Sequence, residues 1–215
     1  MFRAAVLRQL GYIPCMPYLL IAIFSSLAVI VISLLARVPT YRVSPVFLVP
    51  LIWLPYWIRR PIHLHPLHYA LLCSAILLHE LGAFGFYQRW AMPFSFDIVV
   101  HFWFAFAATL IARRAIRRTL PLGRWQTGLA ALLLVMGGGA LHEVIEYGSY
   151  LLLGEEKGML KPSSSYSFDT QRDLLSNLVG ALVALMLISV WKRTARRAAR
   201  PKATVTTAVE LNRAD

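Results

Sequence analysis

The chain has 215 residues, 58% of them hydrophobic and 15% charged, with a formal net charge of +12. A soluble domain is about one-quarter charged, so this composition excludes a water-soluble enzyme and implies an all-α polytopic membrane bundle, a single domain at this length. The excess charge lies in 113–118 and 192–202, each directly after an apolar span, which points to loops on the positive side of a membrane and not to nucleic acid.

The first predicted helix covers 18–36 and is uniformly apolar. It is longer than a signal-peptide core and no small-residue cleavage site follows, so it is expected to stay as an anchor. Cys15 and Cys73 are too few for a disulfide framework and read as packing residues. A second helix at 44–60 carries Pro45, Pro50 and Pro55, so it is expected to be kinked or re-entrant. His63, His65 and His68 follow beside Arg59 and Arg60. Three close histidines could bind metal, but the arginines favour an interfacial loop.

Helix 68–87 contains His79-Glu80, and helix 97–114 opens with Asp97 and brings His101 one turn later. Helix 127–153 carries Gly137-Gly138-Gly139 and then His142, Glu143 and Glu146 inside an otherwise apolar run. After a polar loop at 154–171 with Asp169, helix 173–190 begins at Asp173 and has Asn177 and Gly180 on its early turns. The transmembrane domain is read as 1–192. Residues 193–215 are expected to be a basic, disordered cytoplasmic tail able to lie on anionic lipid.

With six spans, most Lys and Arg fall on one side, so both termini are expected to be cytoplasmic. That alternation has a consequence for the buried ionisable groups. At a rise of about 1.5 Å per residue, His79, Glu80, His101 and Glu146 all fall about 9–12 Å below the outer loops, and His142 about 15 Å below. Of the chain's ten acids, Glu80, Asp97, Glu143, Glu146, Asp169 and Asp173 belong to this layer, as do three of its six histidines. Ionisable groups are costly inside a bilayer and mark functional sites.

Asp97 and His101 are spaced i,i+4, as are His142 and Glu146, so each pair shares a helix face. Glu143 is turned by about 100° from His142. Three chemistries can use such a layer. A divalent metal would suit the His/Asp/Glu mixture without thiolates, with zinc, iron or manganese as candidates. His79, His101, His142 and Glu146 are then the expected direct ligands, Asp97 and Asp173 alternates, and Glu80 or Glu143 the general base. A proton or ion relay uses the same residue types without metal. In a structural network, the carboxylates and imidazoles would neutralise one another. Taken singly, Asp97 and Asp173 also sit where helix N-caps belong, and the three glycines suit close helix packing. His142-Glu143-Val144-Ile145-Glu146 departs from the zincin pattern at its last position.

The order of Phe96-Asp97 with His101, His142-Glu143-Val144-Ile145-Glu146-Tyr147, and Phe168-Asp169-Thr170-Gln171-Arg172-Asp173 with Asn177 and Gly180-Ala181 resembles the YjdF-like family of bacterial inner-membrane proteins. The early His79-Glu80 fits the same pattern, and the likeness covers about residues 68–186. Asp173, Asn177 and Gly180 are more remotely similar to the closing motif of the VanZ-like family. An Arg that usually follows the Phe-Asp is here Ile98, and the Gln expected a turn after the VanZ glutamate is absent. The resemblance implies the inner membrane and strengthens the fold and the site without supplying a reaction. The expectation is an outward-facing His/Asp/Glu site, that of a metal-dependent enzyme acting on a lipid or envelope precursor. The alternatives are a proton- or ion-coupled transporter and a non-catalytic membrane scaffold.

Overall fold

A computed structural model of the chain describes residues 15–37, 39–89, 95–153 and 166–198. Among them are six helices of 14 residues or more and no strand. These are α1 (Cys15–Leu34), α2 (Ser44–Trp57), α3 (Pro66–Glu80), α4 (Phe96–Thr119), α5 (Arg124–Leu153) and α6 (Tyr166–Ala198). Five have the length and composition to cross a membrane, α2 being the exception. The expected all-α membrane bundle is what the chain forms.

Contacts at the helix ends set the direction of each helix. Near the start of α1, the Tyr18 hydroxyl donates to the Leu64 carbonyl at 2.7 Å, just before α3 begins. Beyond the far end of α1, Arg37 N donates to Ala83 O at 2.9 Å, just past α3. Helices α1 and α3 therefore run parallel, and α2 must return the chain between them. It does so: Ser44 at its start donates to Glu80 at the far end of α3. At the other end, Tyr56 and Arg59 meet Cys15 Sγ at 3.2 and 3.1 Å. Fourteen residues span only about 21 Å, so the flanking turns at 39–43 and 58–63 complete the traverse.

Helix α4 runs antiparallel to α3, tied by Trp103 Nε1 donating to Ser74 Oγ at 2.8 Å and Arg114 Nε to His63 O at 2.5 Å. It packs against α3, α5 and α6 and so forms the centre of the second half. We call the end that carries Ser44, Glu80 and Asp97 the carboxylate end and the opposite one the basic end.

Several predicted boundaries move. Helix α3 stops at Glu80 and continues as a 3₁₀ turn to Phe84, ended by Gly85 in the left-handed region at φ 84°, where a glycine is favoured. Helices α4 and α6 run on to Thr119 and Ala198, past the apolar edge, because long Arg and Lys side chains reach interfacial water from a continuing helix. The first residues of the predicted tail, 193–198, are thus helical, while 199–215 lie outside the described residues. So do most of the N-terminal arm, 1–14, and of the polar loop, 154–165. Because α6 opens at Tyr166, Asp173 lies two turns inside it; Asp97 lies within the first turn of α4, whose N-cap is Ser95. The capping reading of both aspartates is therefore corrected.

Candidate functional site

Helix α4 supplies Asp97 and His101 one turn apart on one face, with Asp97 Oδ1 3.5 Å from His101 Nε2. From α6, Asp173 Oδ2 approaches the same nitrogen to 3.9 Å, and from α5, Glu143 Oε1 approaches to 4.0 Å. One imidazole nitrogen thus faces three carboxylates delivered by three helices. One ligand atom each from Asp97, His101 and Asp173 lies within 4.8 Å of the others, the one such group among the described residues. His101, Glu143 and Asp173 are buried, whereas the Asp97 side chain is 29% exposed and opens the group toward the carboxylate end.

Two glycines bring the helices close enough for this. A Cβ on Gly180 would stand 2.2 Å from the Phe102 carbonyl oxygen, so α6 rests directly on the α4 backbone. A Cβ on Gly139 would stand 2.6 Å from Asn177 Nδ2. Asn177 in turn is a side-chain partner of His101, and Thr170 is one of Glu143. Glu143 Oε1 is nonetheless buried without a hydrogen-bond partner, facing His101. Close packing explains Gly139 alone of the three-glycine run: Gly137 and Gly138 have nothing within 4 Å.

His142 and Glu146 form a second pair at 3.2 Å, beside the first, with the His142 ring centroid 5.7 Å from that of His101. The His142 side chain is 42% exposed, so this pair forms an accessible rim. His79 supplies no ligand atom to the Asp97/His101/Asp173 group but lies within electrostatic reach of His101, His142 and Glu146, with its Nδ1 hydrogen-bonded to Tyr87 OH at 2.8 Å and its ring near Tyr41. Burial, and after it Tyr41 and the neighbouring acids, raises the phenol of Tyr87, so it stays protonated. Glu80 is fully buried and turns toward α2, where Ser44 donates to its Oε1 while Oε2 has no partner. The structure does not bring it to His101.

Two of the three histidines at the basic end serve local structure, and the third, His68, packs its ring 5.4 Å from that of His65 with Nδ1 buried and unpartnered. His65 Nδ1 accepts from Leu67 N and caps α3, and His63 takes a positive φ of 49° while its carbonyl receives Arg114.

Electrostatically the cluster is one-sided. Among the described residues no Lys or Arg pairs with Asp97, Glu143 or Asp173; their ion-pair contacts are all to His101. Carboxylates gathered in an apolar bundle without a cationic partner carry a desolvation cost that a bound cation or shared protons must offset. The separations suit a cation, since two ligands about 2.1 Å from one tetrahedral ion stand about 3.4 Å apart.

Sequence reasoning placed these ionisable groups in one layer and gave the pairs within a helix, Asp97/His101 and His142/Glu146, but not the partnerships between helices. Asn177 entered only through its early-turn position and the family motifs, although its i,i+4 spacing from Asp173 places both on one face. Tyr41, Tyr87, Ser44 and Thr170 carried no signal, because loop aromatics and hydroxyls are common without a partner.

The family described as "Predicted membrane protein (DUF2238)" matches residues 16–194. No curated protein and no solved structure matches the chain.

Proposed function

The chain belongs to the DUF2238 family of predicted membrane proteins, and from that premise we propose that its His/carboxylate cluster holds a divalent metal and acts on a lipid or envelope precursor. Convergence of ligand atoms from Asp97, His101 and Asp173 within 4.8 Å supports this reading. The YjdF-like and, more remotely, VanZ-like relationship belongs to the same proposal and rests on the order of the short motifs. So does the orientation, with the cluster facing outward from the bacterial inner membrane and both termini cytoplasmic.

In this reading Asp97, His101 and Asp173 are the ligands, and zinc, iron or manganese suits a nitrogen and oxygen set without thiolates. A metal at that position lowers the pKa of its bound water toward neutrality. Glu143, with Oε1 buried and unpartnered, is placed to complete the ligand set or to take a proton. His142 and Glu146 on the exposed rim would exchange that proton with solvent, and Asn177 would hold the His101 ring. His79 with Tyr87 and Glu80 with Ser44 shape the walls.

Transport is the weaker alternative. Toward the basic end, the core of α4, α5 and α6 is Ala105, Ala112, Ala131, Val135 and Ala181. The buried hydroxyls there, Thr109 and Thr127, donate to carbonyls one turn back or at the helix start. With buried Arg113, these residues include no carboxylate or imidazole to relay a proton.

Metal analysis of protein purified without chelator tests the proposal. We expect about one divalent ion per chain, lost in His101→Ala and Asp173→Asn and retained in Glu80→Gln. Wild-type protein that neither carries nor takes up zinc, iron or manganese would overturn the metal reading.

A further inference from the structure

On the outside of the α4–α6 pair runs a groove of about 500 Å³, walled by Ile98, Val99, Leu175 and Val179, with Arg172 at one end. That volume is within the range of ligand pockets, about 300–1,000 Å³. Ser176 also borders it, but its hydroxyl donates to the Arg172 carbonyl, so the guanidinium is the polar feature of an otherwise apolar slot. Along α6, Arg172, Leu175 and Val179 fall at i, i+3 and i+7, one face of the helix, whereas Asp173, Asn177 and Gly180 fall on the neighbouring face. Contact of Gly180 with the Phe102 backbone separates the two faces. The groove is therefore distinct from the His/carboxylate cluster, and a ligand bound in it would be independent of any metal there.

We propose that this groove is a binding site for an anionic phospholipid, with an acyl chain along its walls and the phosphate on Arg172. Leu175 and Val179 are 59% and 44% exposed on a surface that the bilayer surrounds, so hydrocarbon is the medium that fills the slot. From Arg172 to Val179 is seven residues, about 10 Å of helix, which sets the charge at headgroup level and the apolar walls below it. Arg172 is exposed, and its Nη2 donates to Ser95 Oγ at 3.4 Å, which aims the guanidinium across the start of α4. Among the described residues no carboxylate pairs with it. A guanidinium matches phosphate oxygens in both charge and geometry.

Native mass spectrometry of the full chain, presented with phosphatidylglycerol and phosphatidylcholine of identical acyl chains, tests this. We expect wild-type protein to retain phosphatidylglycerol about fivefold better, the preference that one basic residue near a headgroup supplies. Arg172→Gln should abolish the preference and Arg172→Lys should keep most of it. Val179→Trp, which fills the lower groove, should reduce retention of both lipids. Equal retention of the two lipids by wild-type protein, or a preference that survives Arg172→Gln, overturns the proposal. So does a Val179→Trp variant that changes oligomeric mass while holding lipid as before, because the groove would then seat a helix.

Discussion

In α1 to α3 the helices meet through large side chains: Tyr18, Ile52, Leu64, Tyr69 and Ile76 fill the centre. There Tyr18 and Tyr69 stack at 6.1 Å, and their hydroxyls donate to the carbonyls of Leu64 and Ile52. In α4 to α6 the core is Ala105, Ala112, Ala131, Val135 and Ala181, and the backbones approach until Gly180 touches Phe102. The first half is held by volume and satisfied hydroxyls, the second by proximity. Small residues permit the close helix approach that packing within lipid requires, and at the carboxylate end that approach brings side chains from three helices to one nitrogen.

Two buried glutamates show what the difference does. Each has one hydroxyl partner, Ser44 for Glu80 and Thr170 for Glu143, and each keeps one buried oxygen unpartnered. What differs is the setting: Glu80 is fully buried against α2, whereas Glu143 Oε1 lies 4.0 Å from His101. A carboxyl with no other ionisable group in ion-pair contact acts as part of the packing. One that faces an imidazole and two further carboxylates is available to a cation.

The largest break in the comparison is expected from Gly180→Val. Its side chain would meet the Phe102 backbone, which cannot move aside as a flexible side chain could, and overpacking of this kind costs about 3 kcal/mol. Thermal unfolding in detergent should show a correspondingly lower midpoint together with loss of any bound metal. An unchanged midpoint would mean that α4 and α6 do not pack on this glycine.

A smaller effect is expected in the other half. Tyr69→Phe removes a buried hydroxyl that donates to Ile52 O at 2.7 Å, a loss of about 1 kcal/mol. The midpoint should fall while metal content stays at the wild-type level; metal loss in this variant would show that the two halves are coupled more tightly than their separate cores indicate. Smallest of all is Gly137→Ala. With nothing within 4 Å and a helical backbone, the added methyl should leave the fold intact and raise stability by about 0.5–1 kcal/mol through helix propensity. A marked destabilisation would place a neighbour on that face of α5.

By itself the sequence determined the membrane class, the run of long apolar helices and the grouping of the ionisable residues toward one end of them. Hydropathy is read along the chain, and a fixed rise per residue converts position into depth. That is why His101, Glu143 and Asp173 could be assigned to one layer before any contact was known. The tertiary structure alone decided how each helix is turned about its axis. Rotation is set by packing against neighbours, and so it separated Glu80 from the cluster and placed Asp97, His101 and Asp173 nearest one another. It also decided the course of α2, which the sequence counted among six spans but read as kinked or re-entrant: it carries the chain from Glu80 back to Cys15. No local property of 44–57 contains that fact, because the crossing is completed by turns and defined by what its two ends touch.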